Sequence, residues 1–203
     1  MAPVIPASVA WYVTGRFYLS SEDATLQDLG FFLHLEGLHG PLLEDPTGKV
    51  AEATALLTFR STPFKSVSVD NGGLSLSVDP VGDFTVYLKE PGHARAHFDD
   101  PASFSEGCPI ATFRRASLVV GGAFSGPAST GRSLSMNVFT ARLVWSTAFE
   151  LHGERYDLKD LLPHGITQWG ESGPLALASP PPGFSKVVPF VGSAVAVGPG
   201  LAR

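Results

Sequence analysis

Apolar and polar positions alternate with a period of two along much of the chain, and this pattern predicts strands. In residues 67–78 two alternating runs flank Asp70-Asn71-Gly72-Gly73. Asn and Gly tolerate the positive φ of a tight hairpin turn, so this segment reads as a β-hairpin. After a Pro80-Val81-Gly82-Asp83 turn, residues 84–88 alternate again and complete a three-stranded meander. Residues 51–59 place Ala51, Ala53, Ala55, Leu57 and Phe59 on one face, with Glu52, Thr54, Leu56 and Thr58 on the other. Further strands are expected at 9–19, 29–36 and 112–121. The longest candidate is 134–152, whose face of Phe139, Ala141, Leu143, Trp145, Thr147, Phe149 and Leu151 is apolar enough to be core. At about 3.3 Å per residue it is too long to run straight through one small domain, so it must bend, bulge or change sheets.

Helical signals are short. Asp100-Pro101 followed by Gly107 has a cap, a first-turn proline and a terminating glycine in order, and residues 157–162 allow a turn or two before Pro163. Residues 21–29 fit either a capped turn or a loop. Ser179-Pro180-Pro181-Pro182-Gly183 reads as a stiff extended spacer, dividing a domain over residues 1–178 from a tail over 179–203. The chain is therefore expected to be all-β and mainly antiparallel, either a β-barrel or a two-sheet β-sandwich. Alternation alone does not choose between the two.

Composition sharpens this picture. The 22 glycines and 17 prolines punctuate the chain at short intervals, as many strands and turns require. Charged residues make up 16% of the chain, below the roughly 25% typical of soluble domains, which suits a surface with a partner or a second copy of itself. The net charge of −5, without clustered Lys and Arg, argues against nucleic acid. Cys108 is the single cysteine, so no intramolecular disulfide forms. That fits a reducing compartment, and with no signal-peptide pattern at the start it leads to an expected cytoplasmic location. The uncharged stretch 187–202 is shorter than the ~20 residues of a membrane-crossing helix and is broken by Pro189, Gly192, Gly198 and Pro199. It is expected to lie extended on the domain or on a neighbouring chain, with no membrane span.

Candidate chemistry is sparse. Two His-x-Glu pairs, His34/Glu36 and His152/Glu154, place a base two residues from an acid, on one side of a strand. Facing water they are decoration; facing a lumen they become the catalytic candidates, tuned by burial. Arg114 and Arg115 point to opposite faces of a strand, so an inward one needs a carboxylate or an anionic ligand; Arg142 raises the same question. His93 and His97, with Asp99, Asp100 and Cys108 nearby, offer metal donors, but they sit in a Pro-bounded segment that reads as a surface loop, so no metal is expected. The Gly126–Ser133 stretch has P-loop-like spacing with Arg132 in place of the lysine. It is followed by a strand pattern rather than a helix, and reads as a hairpin loop. There is no nucleophile elbow and no dinucleotide fingerprint, so no cofactor is expected.

Two readings of function follow. In the first, an apolar small molecule binds in a cavity walled by some of the 14 phenylalanines together with Trp11, Tyr87 and Trp145. Cofactor-independent cyclisation, isomerisation or lyase chemistry by the His/Glu pairs would accompany it. In the second, the chain is a non-enzymatic protein-binding or homo-oligomeric module using strand edges or the tail. A nucleotide site at 126–133 comes a distant third.

Overall fold

The computed structural model describes residues 2–44, 51–65, 67–71, 74–79, 82–90, 93–115, 119–125, 133–173 and 179–199. Thirteen strands follow one another: β1 (Val9–Ser20), β2 (Leu26–Leu35), β3 (Leu57–Ser61), β4 (Val67–Asn71), β5 (Leu74–Asp79), β6 (Asp83–Leu88), β7 (Cys108–Arg115), β8 (Val119–Ser125), β9 (Ser133–Ser146), β10 (Phe149–Leu151), β11 (Glu154–Tyr156), β12 (Ile166–Ser172) and β13 (Phe184–Ala196). One short helix, α1 (Leu158–Leu161), and two 3-10 turns, Glu52–Thr54 and Pro101–Ser105, complete the described elements. No described helix is long and apolar enough to cross a membrane.

The choice between sandwich and barrel is settled by one pairing. Strands run β12-β13-β1-β2-β3-β6-β7-β9, and β9 pairs back onto β12, closing an antiparallel barrel of eight strands. The closing ladder runs from Ile166↔Ala141 to Ser172↔Ser135. Closure removes the sheet edges that an open sandwich leaves exposed.

Beyond the barrel wall, β4, β5 and β8 extend the sheet from β9 as an arm. The arm continues barrel strands, in unbroken register only from β3 and β6 into β4 and β5. Pairing of β3 with β6 (Leu57↔Leu88) runs on into β4 with β5 (Val67↔Val78), and pairing of β7 with β9 runs on into β8 with β9. β9 is long because its first half serves the arm and β12 while its second half serves β7. It ends at Ser146, and the apolar pattern resumes in β10, so the expected 134–152 strand is broken at Thr147-Ala148. Of the expected meander, the hairpin forms, with Asn71 paired to Leu74 and residues 72–73, 80 and 81 outside the described ones, but β6 pairs with β3 and β7 and not with β5.

Two expected strands depart from simple alternation. Residues 51–55 form a 3-10 turn and its exit rather than strand, because Thr54 Oγ1 donates back to the Ala51 carbonyl (2.9 Å) and competes with extended pairing. In β2 the register shifts between Tyr12↔His34 and Val13↔Phe32. The bulge leaves both Leu33 and His34 exposed and returns Leu35 to the core. Before the bulge both faces of β2 are buried: Asp28, Gly30 and Phe32 line the lumen, while Leu29 and Phe31 pack outside the wall with Tyr18, Phe98 and Phe104.

That outer layer is the loop 93–106. Tyr18 Oη donates to the Phe98 carbonyl (2.7 Å) and Thr58 Oγ1 to the Phe104 carbonyl (2.7 Å). Buried Lys89 Nζ donates to the carbonyls of Ala94, Ser103 and Glu106, acting as an internal cation that gathers the loop. Burial lowers the Lys89 pKa and lifts that of Tyr18 to about 12.

One end of the barrel is plugged. The β10–β11 hairpin and α1 bring Phe149, Leu151, Tyr156, Leu158 and Leu161 against Leu35, Leu57 and Ile110. α1 starts where expected: Asp157 accepts from the Lys159 N–H (3.1 Å) and its carboxylate also takes the Ser146 hydroxyl.

The uncharged stretch near the end is extended, and it lies inside the wall. β13 pairs with β1 from Val9↔Val195 to Ser20↔Phe184 and with β12 on its other side. The expected boundary at 178/179 thus falls between two staves of the same barrel.

Candidate functional site

Alternate residues of β1 (Trp11, Val13, Gly15, Phe17) point into the lumen, and the neighbouring strands supply Asp28, Phe59, Phe84, Phe113, Phe139, Gln168 and Phe190. Aromatic rings meet edge-on around Trp11, whose centroid lies 5.4 Å from Phe32 and 5.5 Å from Phe113. Further along the same strand, Gly15 faces Gly30 directly across β1 and β2. A Cβ on Gly15 would fall 2.8 Å from the tip of Phe190, and one on Gly30 would fall 2.9 Å from the tip of Phe59. Gly192 and Gly170 stand in the same relation to Gln168 and Asn137. The backbone gives up side-chain volume along β1, β2, β12 and β13, and side chains from facing or neighbouring positions fill it. Two small cavities remain, each about 10 Å³, sharing Asp28, Phe139 and Gln168 as walls. Each has room for about one water.

The polar heart of this lumen is Arg115, only 3% exposed. Its Nη2 lies 2.7 Å from both carboxylate oxygens of Asp28, itself 5% exposed. The guanidinium carbon sits 4.9 Å from the Phe139 ring centre, 5.2 Å from Phe64 and 5.7 Å from Phe84, a cation among aromatic faces. Nε and Nη1 are buried and hydrogen-bond to none of the described residues. Nearby, Trp11 Nε1 donates to Gln168 Oε1 (2.9 Å), fixing the amide at the boundary between the two cavities. Buried guanidinium donors left without acceptors are costly, so an acceptor beside them, a water or a ligand oxygen, would stabilise the site.

The expectation that Arg114 and Arg115 diverge is met. Arg114 points outward and makes a two-pronged pair with Asp83 (2.9 and 3.0 Å), which holds the Asp83 carboxyl below its usual range. Arg142 is exposed. Asp28 and Gln168 were not singled out in the sequence. Asp28 shares the face of Gly30 and Phe32 but lies one residue before the strand expected at 29–36, which hid it.

The His-x-Glu residues stand elsewhere. His34 Nε2 and Glu36 Oε2 are 3.1 Å apart on the outside of the wall, beside the Tyr12 ring, with the bulge at Leu33 turning them outward. His152 and Glu154 do not pair with each other. His152 Nε2 meets the Pro41 carbonyl (2.8 Å), while Glu154 accepts from Tyr156 Oη (2.9 Å) and lies 3.0 Å from His39 Nδ1. Those contacts, Tyr156 first, lower the Glu154 pKa. All four candidate side chains lie outside the lumen, around or beyond its plugged end. An open surface groove of about 400 Å³ there is lined by Glu44, Glu90, His93, Glu150 and His152 among others.

The donors of the 93–100 loop are separated. His97 bridges to Asp100 in a local turn, while His93 lies near Glu90 and Cys108, with ligand atoms within 4.8 Å of one another. The Glu90 N–H donates to His93 Nδ1 (3.1 Å), which puts the proton of the neutral ring on Nε2 and leaves no free ring lone pair for a metal. Burial, followed by Glu90, raises the Cys108 pKa and disfavours the thiolate. Residues 126–132 lie outside the described ones; they join β8 to β9, so a strand and not a helix follows the glycine-rich stretch.

The site and fold together define a closed antiparallel β-barrel with one charge pair buried among aromatic rings. No protein-family model, curated protein or solved structure matches the chain.

Proposed function

We propose that the chain binds a small, largely apolar molecule inside the barrel, with a polar group of that molecule hydrogen-bonded to Arg115. The observation that carries this reading is the buried guanidinium whose Nε and Nη1 have no partner among the described residues. Ligand pockets in barrels combine apolar walls with a few placed polar groups, and this lumen has both. Space comes from the side chains that occupy the volume left by the wall glycines. The two cavities have room for about one water each, so binding requires Phe64 and Phe139, which stack about the guanidinium, to turn aside. The test is native mass spectrometry of the protein isolated from its own source. A stoichiometric low-mass adduct that is absent from an Asp28→Leu/Arg115→Met variant supports the reading; a bare chain that also shows no Arg115 Nε–H shift on titration with apolar compounds is the result against it.

Cyclisation, isomerisation or lyase chemistry by His34, Glu36, His152 and Glu154 is a separable proposal, since these groups lie outside the lumen. Full turnover by a His34→Ala/His152→Ala variant would remove it.

A second reading rests on the arm. β4 is the outermost strand of the sheet and pairs with β5 along one side, leaving an edge on which a second copy can pair. It predicts a dimer by light scattering that Val69→Pro converts to monomer; an unchanged mass would discard it.

A further inference from the structure

We infer that the molecule held at Arg115 presents a neutral oxygen acceptor, such as a ketone, ester or amide carbonyl, rather than a carboxylate or phosphate. The inference rests on the lumen being the binding site and adds the chemistry of what it takes.

Charge is the first argument. Of the residues lining the two cavities, Asp28 and Arg115 alone carry ionisable side chains, and together they sum to zero. Asp28 already supplies the counter-charge, with both oxygens 2.7 Å from Nη2. A second anion would leave one net negative charge in a lumen of phenylalanine and tryptophan rings. The cost of stripping water from it would be set against an arginine that is already neutralised. A neutral carbonyl brings two lone pairs and no charge.

The rings supply the second argument. Phe64, Phe84 and Phe139 turn their faces to the guanidinium. The face of an aromatic ring is its negative side, which favours the cation and repels an incoming anion.

The third argument is donor geometry. Asp28 engages one terminal nitrogen, so Nε and Nη1 keep three of the guanidinium's five N–H groups. Nε–H lies on the Nη2 side of the guanidinium and Nη1 on the Cδ side, so one carbonyl oxygen takes one of these donors, and a separate neutral oxygen, an ether, a hydroxyl or a water, takes the other. A hydrocarbon satisfies none, and a site built to hydrogen-bond a group discriminates against the analogue lacking it.

Acetophenone, benzoate and ethylbenzene make a matched set of probes, with one phenyl ring bearing a neutral acceptor, an anion or neither. Each is titrated at pH 7 into the full chain, with affinity read by calorimetry and the Arg115 Nε–H resonance by NMR. The expected result is that acetophenone binds at least ~10-fold more tightly than the other two and shifts the Nε–H resonance. Its advantage over ethylbenzene should vanish in the Asp28→Leu/Arg115→Met variant, which removes both charges together. Tighter binding of benzoate, with the same resonance shifted, overturns the neutral-acceptor inference and leaves the lumen site standing. Equal binding of acetophenone and ethylbenzene overturns recognition by Arg115. No binding by any of the three overturns the lumen reading itself. The resonance is read on the unmodified chain, so the outcome does not depend on how well the variant folds.

Discussion

Removing Arg115 alone would strand the Asp28 carboxylate among aromatic rings, whereas removing both charges would leave an apolar interior of similar volume. Breaking a buried pair costs about 3–5 kcal/mol, while replacing it whole with hydrophobic residues is close to neutral. Arg115→Met is therefore expected to lower the urea midpoint sharply, and Asp28→Leu/Arg115→Met to recover most of the loss. At the other end of the barrel, Asp157 holds α1 and the plug. Burial raises its pKa, but bonds from Ser146 and Lys159 outweigh that and bring it below the usual carboxylate value. A folded-state pKa lower than the unfolded one contributes stability that is complete above the unfolded value and is lost as pH falls through the folded value. Asp157→Ala should thus cost about 1–2 kcal/mol at pH 7, and the gap to wild type in urea titrations should narrow once the pH drops below the ordinary aspartate range. A gap independent of pH would mean that the carboxylate's charge contributes nothing.

Among elements, β1 and β2 are drawn together more closely than side chains allow. A Cβ on Gly30 would lie 2.1 Å from the Thr14 carbonyl oxygen and 2.6 Å from the Gly15 Cα, both backbone atoms that cannot swing aside. Gly30→Ala is expected to cost upward of about 2 kcal/mol, in the upper part of the usual overpacking range; thermal unfolding within a degree of wild type would show that the strands can part. The alternation that made β1, β6 and β7 legible is a local property, and so are the cap of α1 and the first-turn proline of the 101–105 turn, where Asp100 stands at the expected cap position but makes no side-chain capping bond. What alternation could not carry is the bulge at Leu33, which depends on pairing with β1 and moves His34 to the outside. Nor could it show what covers Leu29 and Phe31, because the 93–106 loop is distant in the chain and is held by Lys89, a residue that sequence patterns assign to solvent. Arg115 announced that it needed a partner, but the partner lies 87 residues away, and no spacing rule spans that distance.

For the molecule as a whole, the barrel's seam joins strands far apart in the chain: β1 pairs with β13 along nearly its full length, and β9 pairs with β12. The β1 ladder at the seam links Val9 to Val195, among the longest-range contacts a chain of this size can make. Closing such a loop before any contact is rewarded is slow, so formation of the barrel waits on a late and improbable encounter. During that wait β1 holds β2 on one side and nothing on the other, and β12 is equally open. The same wall that in the finished protein offers no edge is, while it forms, a template for a neighbouring chain, and a β13 supplied by that neighbour would fit as well as its own. High concentration during refolding should therefore favour strand-exchanged pairs over closed monomers, which makes the speed of closure, more than the depth of the final energy well, the quantity on which the yield of this protein depends.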